Sequence, residues 1–381
     1  MRRSRKARSR RHTACTLRLR NEARMDAAAA ECTVSFAMDA KQEDDMAFAN
    51  SLPLKILGMG RYLPERVVNN AEVEALIGLP SGTIDNSHAG VRERRWVVDE
   101  TGSWLAAQAA KAALSDAGLE PGDLDLIING SGTQEQAIPD GGPLIQRHLG
   151  LEGSGIPAFS THSTCLSFLV GLNVAANFLA TGQHERILVT SGDIASHALN
   201  SKQPEAFMLF GDAAAAVVVT RTPPGEVSCM SSFVYRTFGE GAYLTAVMGG
   251  GTRKHPNMPD ASPEDNLFHM DGKAVYLMAV EHAPKTLAML RPSILTEGLG
   301  SIKAVIPHQA SGLALGAMTQ RLGWPLERIA VTLDKLGNTI GASIPVTLVE
   351  ARDQGMFDRG DEIMLFGTGA GLSIGAAILT Y

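Results

Sequence analysis

The sequence predicts a layered α/β protein built twice over, and three observations carry that prediction. Short apolar runs that read as strands alternate with longer periodic runs that read as helices from Leu54 to the end, the pattern of a mostly parallel sheet covered on both faces. The composition, 45 % apolar with 39 glycines in 381 residues, suits tight turns between such elements. Two similar phrases, MLFGDAAAAVVV from Met208 and MLFGTGAGLSIGAAIL from Met364, each place a small-residue turn before a final strand. That similarity points to an internal duplication.

In order, LKILGMGRYLP reads as a strand, AEVEALIG as a short helix, and GVRERRWVV (Gly90 to Val98) as a charged loop or a phosphate- or partner-docking patch. Trp104 to Ala117 is an amphipathic helix closed by Gly118, LDLIINGSG a strand, and GPLIQRHLG a helix. IPAFSTHSTCLSFLVGLNVAANFLATG (Ile156 to Gly182) is the central unit: a short apolar run, a polar turn able to cap, then an apolar helix from Cys165 to Gly182. ERILVTSGD and MLFGDAAAAVVVTR supply two more strands. The second half offers a helix from Lys273 to Leu290, the strand IKAVIPHQ, a helix from Ser311 to Leu322, a strand and turn in IAVTLDKLGN, and the helix SIPVTLVEARDQG. EIMLFGTGAGLSIGAAILTY closes the chain.

Residues 1–53 stand apart and are expected to be a disordered extension, with Met25, Met38 and Met46 as alternative starts. Residues 1–50 hold 11 Lys and Arg against 7 Asp and Glu, which leaves the remainder at net −10. Such a body argues against general nucleic-acid binding. No uninterrupted apolar run is long enough to predict a membrane segment. The four cysteines (Cys15, Cys32, Cys165, Cys229) lack metal-type or disulfide-scaffold spacing, so a cytoplasmic protein without a metal is expected.

Three polar residues fall where strands end and helices begin: Cys165, His308 and Asn338. Catalytic groups of α/β sheets gather at the carboxyl ends of strands. At the first turn of its helix the Cys165 thiol meets unpaired N–H groups and the helix dipole, which favour a reactive thiolate. The bland alternatives are a buried structural cysteine, a satisfied core histidine and a turn asparagine. GTGAG near the end resembles a dinucleotide-binding phrase, but ten residues after Gly371 are too few for the helix and strand that motif needs.

Taken together, the motifs are those of a family. LGMGRYLPE, GVRERR, the cysteine unit, FGDAAAA, MDGKAVYLMAV, PHQA, LDKLGNTIGASIP and FGTGAGLSIG follow one another in an order that resembles β-ketoacyl-acyl carrier protein synthase III, a condensing enzyme of the thiolase-fold superfamily. The resemblance implies a thiolase-like five-layer αβαβα sandwich with halves at 54–222 and 223–381, a homodimer, and no cofactor. It implies acyl loading onto Cys165 from a coenzyme A or carrier-protein thioester. Backbone N–H groups of Cys165 and of Gly369–Ala370–Gly371 would hold the oxyanion. A Claisen condensation with a malonyl- or β-ketoacyl-thioester would follow, assisted by His308 and Asn338.

Departures from the family pattern bear on the donor. Ile84 and His88 stand where a tryptophan and an arginine grip coenzyme A, and His197 stands for a second arginine. Ser311 and Leu313 replace an asparagine and a basic residue, and Gly272 is a further substrate-binding candidate. Histidine replaces a guanidinium poorly in stacking and phosphate pairing, so a carrier-bound acyl group in a specialised fatty-acid or polyketide-type pathway is expected. The alternatives are acyl transfer to a hydroxyl or amine, and head-to-head joining of two acyl thioesters. The second would draw on the loop holding Glu135 and Ile138.

Overall fold

The computed structural model describes residues 51–381, His88 excepted. Of the expected extension, residues 1–50 lie outside them, but its end is corrected: Leu52–Pro53 is a strand paired with Met230 and Cys229. Among the described residues, two five-stranded sheets form the frame. The first has the order β2 (Lys55–Tyr62), β8 (Ala213–Thr220), β7 (Arg186–Asp193), β5 (Leu126–Asn129), β6 (Ala158–Ser160). The second runs β1 (Leu52–Pro53), β9 (Cys229–Thr237), β14 (Ser373–Thr380), β13 (Glu362–Gly369), β12 (Ile302–Pro307). Two-stranded ribbons, β3 (Val67–Asn69) with β4 (Glu93–Arg95) and β10 (Thr245–Ala246) with β11 (His269–Met270), lie outside the sheets.

The sheets are mixed, which corrects the expectation of mostly parallel pairing. In the first, β5–β6 and β5–β7 are parallel while β7–β8 and β2–β8 are antiparallel. In the second, β12–β13 alone is parallel. The cause is connection length: β13 and β14 are joined by Ala370–Leu372, and so short a link permits only an antiparallel neighbour.

Helices fill three layers. Between the sheets lie α4 (Ser167–Thr181) and α7 (Ser343–Asp353), whose Phe168, Leu172, Ile344 and Leu348 share one core with Val189 and Val217 of the first sheet and Ile306 and Leu365 of the second. Outside the first sheet lie α2 (Gly102–Ala117) and α3 (Gly141–His148), packed on Leu188, Ala216 and Val218. Outside the second lie α5 (Gly272–Leu290) and α6 (Gly312–Leu322), packed on Val305, Met364 and Ile374 through Leu287 and Met318. Val217 faces inward and Val218 outward because successive strand residues point to opposite faces. The five layers predicted by the resemblance are therefore present. A short helix α1 (Asn70–Ile77) completes the first half's periphery.

Further expectations are corrected. The strand expected in IAVTLDKLGN is absent: Ile329 makes one isolated bridge to Val305, and Leu333–Leu336 is a helical turn. The two MLFG phrases are not equivalent, since Met364–Gly367 lies inside β13 whereas Met208–Gly211 precedes β8. The charged run at Gly90 is not a docking patch at its centre. Arg94 is 0 % exposed and donates to Val68 O, Asn70 Oδ1 and Met208 O. Finally, Thr164–Thr181, interrupted by Gly171, is 18 residues with a mean hydropathy of 1.5, enough by length and composition alone to cross a membrane, but it is a core helix between the sheets. In the fold half of it is buried.

Candidate active site

Cys165 sits in a short 3-10 turn, Thr164–Leu166, that feeds α4. The turn is built by side chains rather than by a conventional cap. Ser167 Oγ accepts from Ser163 N–H at 2.8 Å and donates to Thr164 O at 2.7 Å, and Ser163 Oγ bonds the Tyr235 hydroxyl on β9. His308 follows β12, its backbone N–H donating to Phe366 O at 2.8 Å. Beside it, Gln309 is buried and locks the strand end. Its Nε2 donates to Pro307 O and Ala330 O, and its Oε1 accepts from Thr332 and Leu333 N–H at 3.1 Å each.

Asn338 comes from the loop before α7. Its backbone N–H donates to Leu209 O at 2.8 Å and its carbonyl accepts from Gly211 N–H at 3.1 Å, which ties the loop to the first half. Its Oδ1 accepts from Ile340 N–H at 3.0 Å. Because that donor is a backbone amide, the side-chain oxygen must face it, and the Nδ2 hydrogens are left for other partners. Asp193 at the end of β7 reinforces the junction. Its carboxylate accepts from Gly132 N–H, Thr133 N–H and Oγ1, Ser191 Oγ and Ala342 N–H, the last 149 residues away in the second half.

Cys165, His308 and Asn338 line one cavity of about 1200 Å³, together with Gly369, Ala370 and Gly371 of the β13–β14 turn. The backbone N–H groups of Cys165 and Ala370 favour the thiolate form of Cys165. Burial pushes the thiol up to about 12, with the Asp193 charge adding to it and those N–H groups opposing it. Burial also pushes His308 down to about 4, and its Nδ1 has no partner. Desolvation therefore opposes the thiolate that the helix end favours, and burial keeps the His308 imidazole uncharged.

The remaining candidates divide. Gly272, at the start of α5, and Ser311, which caps α6 by accepting from Ala314 N–H, line the cavity, as does Leu313. His197 is exposed on a turn away from the lining, and Ile138 is 87 % exposed on its loop. Ile84 is a core residue beside Val73 and Trp96. His88 lies outside the described residues. Glu135 accepts from Ser103 N–H at the start of α2, a structural use of its carboxylate. The lining also includes residues that the sequence did not single out, among them Thr164, His162, Phe268, Met270 and Tyr276. No group of His, Cys, Asp and Glu suited to a metal ion occurs among the described residues.

Comparison with known proteins gives the family. Residues 159–239 match the family model described as 3-oxoacyl-[acyl-carrier-protein (ACP)] synthase III, and residues 298–381 match the model of that enzyme's C-terminal part. The chain is 32 % identical over 331 residues to the β-ketoacyl-[acyl-carrier-protein] synthase III of Aquifex aeolicus, covering 86 % of this chain and 99 % of the relative. Against the Roseiflexus enzyme of the same name it is 34 % identical, covering 85 % and 97 %. The solved structure of the Aquifex aeolicus enzyme superposes with a TM-score of 0.75 over 86 % of this chain and all of the other, 100 %. A variant of OleA from Xanthomonas campestris, 21 % identical, shares the fold with a TM-score of 0.75 over 87 % of this chain and 98 % of its own. The chain belongs to the 3-oxoacyl-[acyl-carrier-protein] synthase III family, condensing enzymes of the thiolase fold.

Proposed function

We propose that this condensing enzyme carries its acyl group on Cys165 and joins it to a malonyl-carrier-protein unit. The observation that carries the reading is the convergence of Cys165, His308 and Asn338 on one cavity whose lining also holds Ala370. In loading, the sulfur attacks the thioester carbonyl and gives up its proton. The Cys165 and Ala370 N–H groups hold the oxyanion, and the carrier thiol departs with a proton. In condensation, the malonyl unit loses carbon dioxide, and the electron pair of the broken bond becomes an enolate. Asn338 Nδ2 and the neutral His308 ring donate to its oxygen. The enolate carbon attacks the acyl carbon, the C–S bond breaks, and Cys165 regains its proton. Held uncharged, the His308 ring offers one N–H as donor and keeps its other nitrogen as an acceptor.

Two finer features belong to the same proposal. The acyl donor is a carrier-protein thioester rather than coenzyme A, because Ile84 is buried in the core and His197 lies off the cavity, so neither offers a stacking platform. The acyl group is longer than two carbons. The cavity exceeds the ~300–1,000 Å³ usual for a drug-sized ligand, and Met208, Leu209, Phe268 and Met270 give it apolar walls. A homodimer is proposed through the unpaired edge of β6, the outermost strand of the first sheet. The expected molecular mass by light scattering is that of two chains.

Radiolabelled acyl thioesters test the reading. Label should remain on the wild-type protein and vanish in Cys165→Ala. Adding malonyl-carrier protein should then give a β-keto product, whereas an ester or amide product would mean transfer to a hydroxyl or amine instead.

A further inference from the structure

Thr164 is a β-branched residue held at φ +50°, a conformation that glycine adopts freely and threonine does not. Ser167 Oγ, accepting from Ser163 N–H and donating to Thr164 O, braces it, and the side chain points toward the end of β13. Its Oγ1 is buried with no hydrogen-bond partner. A Cβ built on Gly369 would come within 2.9 Å of that oxygen, so the absence of a side chain at 369 makes its room. A buried hydroxyl without a partner is costly unless something else uses it. Thr164 lines the same cavity as Cys165, its neighbour in sequence; the hydroxyl makes no hydrogen bond at rest, and its influence on the thiol is in the direction that favours the thiolate. Residue 340, at the matching point of the second half, is an isoleucine at φ +53°. A branched shape is thus compatible with this backbone, while the hydroxyl is peculiar to the nucleophile's side.

We propose that Thr164 is a catalytic residue: its hydroxyl donates a hydrogen bond to the Cys165 sulfur as charge develops there, joining the two backbone N–H groups. The hydroxyl is unengaged at rest, so it is free to turn to the sulfur when the thiolate is expelled by the enolate or generated on attack. This rests on Cys165 being the acyl carrier, but the test does not depend on condensation.

The rate of Cys165 alkylation by iodoacetamide is measured across pH by peptide-resolved mass spectrometry in the wild type, Thr164→Val and Thr164→Ser. Valine keeps the branched shape and removes the hydroxyl, whereas serine keeps the hydroxyl. The expected result is a valine variant alkylated about tenfold more slowly at fixed pH, the effect of one hydrogen bond to a charged group. Its pH profile should be displaced upward, with serine close to wild type and melting temperatures unchanged. A valine variant that alkylates like the wild type overturns the proposal, as does a serine variant slowed as much as valine. Should valine fail to fold, Thr164→Ala is read by the same criteria. Absence of acyl label on wild-type Cys165 would instead overturn the function proposed above, whatever the alkylation result.

Discussion

Thr164 and Ile340 hold the same left-handed conformation, φ +50° and +53°, at the start of the two turns that lead into α4 and α7, and they meet across Gly132. A Cβ on Gly132 would lie 2.6 Å from Ile340 Cγ2 and 2.7 Å from Thr164 O. Strain of this kind costs ~1–3 kcal/mol per residue and persists where the surroundings over-determine it. Here the surroundings are the junction of the two halves, clamped by Asp193. Gly132→Ala should therefore lose ~1–3 kcal/mol of stability by overpacking, measured by urea denaturation. It should also slow acyl loading, because the contact on the first half's side is the backbone of the cysteine turn.

Loading and condensation should separate by residue. Asn338→Asp keeps the acceptor that Ile340 N–H needs but replaces the Nδ2 donor with an anion facing an enolate. Malonyl decarboxylation and condensation should fall ~10²-fold or more, while acyl label on Cys165 persists. A variant that loses both steps equally would assign Asn338 to the cysteine instead. Rapid-quench measurement of acyl-enzyme and β-keto product reads the two rates.

Acid stability should carry the mark of His308. Its folded pKa, about 4, lies below the ordinary 6.5, so the unfolded chain takes up this proton first as pH falls. Stability is then lost from pH 6.5 downward until about pH 4, with no effect above 6.5. The residue is 6 % exposed, so the loss approaches ~3 kcal/mol. Asp193 runs the other way. Burial pushes it up to about 6, so the folded state binds that proton more readily and gains stability as pH falls from 6 toward 3.8. The two partly cancel in the wild type. His308→Gln should remove the first and leave a protein whose denaturation midpoint falls less, or rises, between pH 6.5 and 4.

The elements were legible because periodicity marks them, the five layers through the family resemblance, and the candidacy of Cys165, His308 and Asn338 because strand ends collect chemistry. What escaped depends on partners distant in sequence. IAVTLDKLGN looks like a strand, but the Gln309 amide captures the N–H groups of Thr332 and Leu333 and turns the chain. Arg94 looks like a surface charge until the carbonyls of Val68 and Met208 receive it. The two MLFG phrases match in words but not in place, since one precedes β8 and the other lies inside β13. Helix-end logic for the thiol omitted desolvation, whose size depends on what covers the sulfur. Thr164 is silent in sequence, because neither its φ nor its unpartnered hydroxyl has a local signature.

Behind His308 a second cavity of about 110 Å³ opens between α5 and α6. His308, Tyr276, Ala279, Ala310, Ala314 and Thr368 line both spaces. The gap exists because the facing helices present alanines, Ala279 and Ala283 against Ala314 and Ala317. Apolar space of this kind stays dry and accepts alkyl groups. Ala314→Leu fills it from the side shared with the main cavity. If long acyl chains use this space, kcat/KM for a long-chain acyl donor should fall ~tenfold or more, while a short-chain donor is little affected. Equal loss across chain lengths would mean that the added bulk has displaced His308 rather than blocked a chain.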